Sequence, residues 1–118
     1  TPIEKYPEFI RKLEELAERY KLFYASSARV IDCGHSMMFS FSYTFNRADP
    51  GSMDRAKEAL DEAAEFALEQ GGVIWKPNID EQKMVMERMD PNTLKLMMKL
   101  KELLDPNGIM NPGNWEAN

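Results

Sequence analysis

"MMFSFSYTF", residues 37–45, alternates without a break. Phe39, Phe41, Tyr43 and Phe45 fall on one side of an extended chain, and Met38, Ser40, Ser42 and Thr44 fall on the other. A period of two is the signature of a half-buried strand. The aromatic side needs a cover of helices. The hydroxyl side is free to meet water, another domain or a ligand.

The flanks supply the cover. Upstream, "LFYASSARVIDCG" (22–34) carries Phe23, Tyr24, Val30 and Ile31, which suit a strand, and "CGHS" is a natural reversal into the next one. Before it, Tyr6, Phe9, Ile10, Leu13, Leu16, Ala17 and Tyr20 recur at helical spacing, so this helix has one apolar side. Thr1, Pro2 and Glu4 form a candidate capping box, and Pro7 offers a second start. Downstream, "NRADPGS" (46–52) ends the strand, and Ser52 or Asp49 can cap a helix from Met53 to about Gln70. Its stripe is Met53, Ala56, Leu60, Ala63, Ala64 and Ala67, and Gly71-Gly72 stops it.

"VIWKP" (73–77) reads as a short third strand closed by Pro77. Asp80 can open a helix through Met89; Asp90 and Pro91 open another as N-cap and first residue, with Leu94, Met97, Leu100, Lys101 and Leu104 along one side. The fold class is therefore α+β, a single domain over 1–118: α-β-β-α-β over 1–77, then C-terminal helices and a tail over 78–118. Helices on one face of a small antiparallel sheet make half of a ferredoxin-like sandwich. Three strands leave exposed edges, which favour completion by another segment or self-pairing into a homodimer.

Composition narrows the function. A net charge of −5, with Lys and Arg spread along the helices, argues against a nucleic-acid partner. The single Cys forbids an intrachain disulfide and favours a reducing, cytoplasmic setting. No apolar run reaches the roughly 20 residues of a membrane span. The nine Met residues fall mostly on helices, where Met fills cores. The chain begins at Thr1 rather than Met and is read as a piece of something larger.

The chemistry is sparse. His35 is the only histidine and sits beside Cys33 and Asp32, residue types that bind metals or form nucleophile–base pairs. It is the one catalytic candidate. With no second histidine and no ligand spacing, no metal is expected. The carboxylates sit at spacings for solvated pairs on helix surfaces. Neither GxGxxG nor GxxxxGK[ST] occurs, so the chain has no phosphate loop of its own.

The last stretch, "LKELLDPNGIMNPGNW" (100–115 in the form Leu100 to Trp115), turns twice: at Asp105-Pro106-Asn107-Gly108 and at Asn111-Pro112-Gly113. A disordered tail has no need of Ile109, Met110 and Trp115 between and after such turns. The run Asp105–Gly113 resembles the C-terminal signature of FAD-linked oxidoreductases of the vanillyl-alcohol oxidase type, which include D-lactate dehydrogenases and the flavoprotein subunits of glycolate oxidase. The hairpin, "FNRADP" (45–50), the long helix and "EQGG" (69–72) resemble the later half of the same cap domain.

The resemblance implies an upstream FAD-binding domain as partner, FAD as cofactor, and hydride transfer from an organic substrate to flavin. The substrate would be a small molecule, a hydroxy acid or an aromatic alcohol. It implies that the segment after Asn111-Pro112-Gly113 returns to the FAD domain, with Asn111 near the cofactor. Ser40, Ser42, Trp75 and Lys76 are the candidates for lining the substrate cavity. Lactate- and glycolate-type members carry HxGDGNxH across the hairpin and GEHG after the paired glycines. Here "CGHSMMFSFS" and "GGVIWKPN" stand in those places, with His35 aligned to the first of those histidines. That departure favours an aromatic alcohol or other metal-free oxidation. The rival reading is a standalone α+β interaction module with no catalysis of its own.

Overall fold

In a computed structural model, which describes residues 1–116, the chain forms two compact units, Thr1–Val73 and one that begins at Ile74. The fold class is α+β.

The first unit holds α1 (Tyr6–Tyr20), β1 (Phe23–Ile31), β2 (Ser36–Thr44) and α2 (Pro50–Glu69). The expected capping box at Thr1 does not form. Pro2 is extended, a 3-10 turn covers Ile3–Lys5, and α1 starts at Tyr6 with Pro7 in its first turn. Lys21, in the left-handed region at φ 53°, ends α1, and the Leu22 N–H returns to the Ala17 carbonyl at 2.9 Å.

β1 and β2 form an antiparallel hairpin in unbroken register, from Phe23 opposite Thr44 to Ile31 opposite Ser36. The alternation read from residues 37–44 is realised. Met37, Phe39, Phe41 and Tyr43 turn inward, and Met37 and Tyr43 are buried. Phe45 falls past the strand end and is exposed. The inner face meets α1 and α2 in one core of Leu13, Leu16, Ala17, Tyr43, Ala59 and Ala63, with Phe39 and Phe41 packed against it. Edge-to-face rings extend this core: Tyr6 on Phe39 at 5.6 Å and Phe9 on Phe66 at 5.3 Å. The Tyr43 hydroxyl donates to the Leu13 carbonyl at 2.9 Å, which ties β2 to α1 inside the core.

The loop into α2 is closed locally. The Ala48 N–H donates to the Asn46 side chain, and the Asn46 N–H donates to the hydroxyl of buried Ser52. Asp49 is the N-cap, accepting the Gly51 N–H and pairing with Arg55, which holds its carboxyl below the usual range. α2 therefore starts at Pro50, earlier than Met53, and Met53 lies exposed while Ala59 is fully buried. At the other end the Gly72 N–H bonds the Ala67 carbonyl at 2.8 Å and the Gly71 N–H bonds the Leu68 carbonyl at 3.1 Å. Gly71 supplies the positive φ of this motif, and a Cβ on Gly72 would lie 2.7 Å from the Ala67 carbonyl oxygen.

Residues 73–77 correct the sequence reading. "VIWKP" is not a strand, and the described residues contain a two-stranded sheet, not a three-stranded one. Val73 and Trp75 are exposed. β-branched residues favour a strand only where a neighbouring ladder takes their main-chain groups, and no ladder reaches this segment.

The second unit holds α3 (Ile79–Arg88) and α4 (Pro91–Leu104). α3 opens at Ile79, just before the expected Asp80, on a capping box in which Asn78 accepts the Glu81 N–H and Glu81 accepts the Asn78 N–H. α4 opens as read, on Asp90 and Pro91. No helix among the described residues is long and apolar enough to cross a membrane.

Candidate functional site

The double turn is densely hydrogen-bonded. α4 stops at Leu104, and Asp105, whose N–H still reaches the Lys101 carbonyl at 2.8 Å, leaves the helical region. Pro106 cannot continue the helix, and Gly108, at φ 62°, closes the first turn onto the Asp105 carbonyl at 3.0 Å. The Asp105 side chain is buried and acts as the hub. Its oxygens accept the Ile109 N–H at 3.0 Å and the Met110 N–H at 2.9 Å, and Lys101 Nζ donates to it as well. Lys101 also donates to the Met110 carbonyl. The Lys101 ammonium, helped by the two main-chain N–H groups, holds the Asp105 carboxyl below the usual range against the opposing effect of burial.

The second turn follows at once. Asn111 and Gly113 both adopt positive φ, and the Asn114 N–H bonds the Asn111 carbonyl at 3.2 Å. Gln82 of α3 then clamps the end of the segment. Its amide nitrogen donates to the Asn114 side chain at 3.0 Å and to the Pro77 carbonyl at 3.2 Å, and its oxygen accepts the Trp115 N–H at 2.7 Å. Both Gln82 and the clamping role of Lys101 escape a reading of the sequence. Lys101 stands four residues before Asp105, a spacing that could have signalled the pair; nothing local marks Gln82.

The backbone of this segment is fixed, yet its apolar side chains are not covered. Ile109 is 76% exposed and Met110 60%. Between α4 and the segment lies an open, mostly apolar cavity of about 390 Å³, lined by Met97, Leu100 and Leu104 on one side and by Met110, Asn111 and Trp115 on the other. Asn111 stands exposed at its rim.

The other candidates lie elsewhere. His35 is exposed at the tip of the hairpin, after Asp32, Cys33 and Gly34, all at positive φ. Its N–H bonds the Asp32 carbonyl at 3.0 Å, and its carbonyl accepts the Ile3 N–H at 3.3 Å. Among the described residues no group of three or more His, Cys, Asp or Glu side chains could hold a metal ion. Ser40 and Ser42 share the exposed outer face of the hairpin, opposite Ser27 and Ala25. Trp75 is exposed, with Lys76 Nζ 5.6 Å from its ring centre. The structure thus brings Ser40 together with Ser42, and Trp75 together with Lys76. It describes Asn111 in the second unit with Trp75 and Lys76, and His35 in the first with the two serines.

The pattern that defines the C-terminal domain of FAD linked oxidases matches residues 1–115. The chain belongs to this family. Two curated relatives, uncharacterized FAD-linked oxidoreductases from the CDC 1551 and H37Rv strains of Mycobacterium tuberculosis, are each 27% identical to it over 116 residues. That alignment takes in 96% of this chain and 23% of each relative, so the chain spans about a quarter of their length. No solved structure matches.

Whether these residues suit the cofactor the family is named for can be tested on the donor set. The apolar cavity and the Asn111 amide could flank a flat ring. A dinucleotide also needs donors for its diphosphate, and the cation at this cavity, Lys101, is already committed to Asp105 and the Met110 carbonyl. The residues that line this cavity do not fit a whole FAD.

Proposed function

We propose that this chain is the substrate-cap portion of an FAD-dependent oxidoreductase, and that FAD is bound mainly by an upstream domain of the parent protein. The reaction assigned to that parent is hydride transfer from a small organic substrate, a hydroxy acid or an aromatic alcohol, to the flavin; the flavin supplies the redox chemistry. The observation that carries this reading is the family match over residues 1–115. The double turn supports it. A segment pinned by Asp105 and Gln82, yet presenting bare Ile109 and Met110, is built to meet another surface, and the FAD-binding domain is the partner we assign.

Within that reading, Asn111 is the cofactor-proximal residue, because its exposed amide has both donor and acceptor to offer a ring edge. Ser40 and Ser42 offer hydroxyls from the outer sheet face of the first unit, and Trp75 with Lys76 offers a ring and a cation in the second; these four are the proposed substrate-binding residues. His35 is the proposed proton acceptor, being the only histidine of the chain. The departure from HxGDGNxH and GEHG, where this chain has "CGHSMMFSFS" and "GGVIWKPN", is our ground for preferring the aromatic alcohol over a metal-dependent hydroxy-acid oxidation. A cytoplasmic location is proposed from the single cysteine.

The test is spectroscopic. The full-length protein should purify yellow with one flavin per chain, and anaerobic addition of an aromatic alcohol should bleach the flavin. The 118-residue chain alone should purify colourless. A colourless full-length protein that takes up no FAD would sink the reading and leave the interaction-module alternative.

A further inference from the structure

Three main-chain bonds along β2 belong to no helix or hairpin. The Thr1 nitrogen donates to the Met37 carbonyl at 3.1 Å, and the Met37 N–H donates to the Thr1 carbonyl at 2.8 Å. The Ile3 N–H then donates to the His35 carbonyl at 3.3 Å, which makes Pro2 and Ser36 an antiparallel bridge. Thr1–Ile3 is thus a single antiparallel rung, laid on the side of β2 away from β1.

The geometry extends this rung in one direction only. Ile3 leads into the 3-10 turn and α1, so the ladder cannot grow past Ile3. It can grow backwards from Thr1, alongside β2 towards Thr44. Met37 turns both of its main-chain groups to Thr1. Strand alternation therefore turns those of Phe39, Phe41 and Tyr43 to the same side. Among the described residues, none of these six groups has a main-chain partner outside the hairpin. Such an edge is a template for strand addition.

We infer that the free edge of β2 is a strand-addition site, and that its occupant is the extended backbone that enters Thr1 from upstream in the full-length chain. This rests on the reading of the chain as part of a longer oxidoreductase. Continuity with the Thr1–Met37 pair selects this occupant over a second copy, because the antiparallel direction and the register are already set. The residues two and four before Thr1 lie opposite Phe39 and Phe41 and face the helices, as Thr1 does; they are apolar. The residues one and three before Thr1 lie opposite Met38 and Ser40 and face outward. A completed edge also makes the outer face, with Ser40 and Ser42, part of a wider sheet rather than of an isolated hairpin.

Amide hydrogen exchange on the full-length protein tests this without any substitution. The Phe39, Phe41 and Tyr43 amides should exchange roughly a hundredfold or more slowly than in the 118-residue chain, as paired strand amides do. A second measurement fixes the register. Ser40 and the residue three before Thr1 form a non-hydrogen-bonded pair with Cα atoms about 4.5 Å apart, within disulfide reach. In a Cys33→Ser background, Ser40→Cys should cross-link to a cysteine three before Thr1 and not to one two or four before it. Equal exchange in the two proteins overturns the inference. So does protection that grows with protein concentration, which would assign the edge to a second copy. Protection without the cross-link would assign the edge to a different segment and overturn it too. Flavin content is read separately. A yellow protein with an unprotected edge refutes the strand and leaves the flavoenzyme reading, and a protected edge on a protein without flavin does the reverse.

Discussion

The carboxylate of Asp105 accepts the main-chain N–H of Met110 at 2.9 Å, five residues further on. With the parallel bond from Ile109, this one buried side chain sets the direction in which the chain leaves α4. Local chemistry, not packing, thus orders the segment that presents Ile109 and Met110.

That relationship has a pH signature. The Asp105 carboxyl is held below its usual range, chiefly by Lys101. A carboxyl depressed on folding stabilises the folded turn above its ordinary pKa of about 4, and the contribution is lost as pH falls through the lower folded value. Lowering the pH below about 4 should therefore shift the Ile109 and Met110 amide resonances towards random-coil positions. Asp105→Asn should show the loosened spectrum already at pH 7. Resonances unchanged in that variant would mean that the turn does not depend on the carboxylate.

The core should respond in two sizes. Leu16→Ala removes a fully buried side chain between the helices and the sheet, and should cost about 2–5 kcal/mol in urea unfolding. Tyr43→Phe removes only the hydroxyl that donates to the Leu13 carbonyl, and should cost about 0.5–1.5 kcal/mol. Equal losses for the two would contradict the packing described.

Helix α3 gives a cleaner local test, since Asn78 is exposed and its side chain only caps. Asn78→Ala should destabilise by about 0.5–2 kcal/mol, and Asn78→Ser should restore most of that. If Ala and Ser behave alike, the capping box contributes nothing.

The parts legible in the sequence were those set by neighbours a few residues away. The alternation of residues 37–44, Asp49 as one of two candidate N-caps, Gly71-Gly72 as stop and Asp90-Pro91 as start all act within one turn or one strand. The strand expected at "VIWKP" was not legible, because Val73 and Ile74 carry strand propensity whether or not a partner exists. Gln82 was not legible either; its bonds reach Asn114 and Trp115, 32 and 33 residues away, and a glutamine on a helix announces no such span. Of the candidate-site features, only the backbone of the double turn was legible. Its chemistry is repeated locally as Asp105-Pro106 and Asn111-Pro112, whereas Ser40, Ser42, Trp75 and Lys76 are exposed positions that sequence pattern alone cannot rank.

The 118-residue chain should self-associate weakly. Its β2 edge keeps unpaired main-chain groups from Phe39 to Tyr43, and these favour pairing between copies when no other strand is offered. Sedimentation velocity over a concentration series should show a monomer shifting towards a dimer at the highest concentrations. A strictly monomeric chain throughout would mean that the edge is protected by something other than a strand.

The last prediction concerns the bare pair after the first turn. Ile109 and Met110 have main-chain groups fixed by Asp105 and side chains that are largely exposed, so replacing those side chains removes little from the chain itself. Ile109→Ser with Met110→Ser should change the unfolding free energy of the 118-residue chain by no more than about 0.5 kcal/mol. In the full-length protein the same pair is proposed to be buried against the FAD-binding domain. Burying a large aliphatic side chain contributes roughly 1.5–3 kcal/mol, so the double substitution should lower full-length stability by about 3 kcal/mol or more and quicken flavin release. Both proteins are compared under one buffer by thermal and urea unfolding, with flavin fluorescence as the second readout. A full-length protein as indifferent to the substitution as the isolated chain would remove the FAD-binding domain as the partner of this segment.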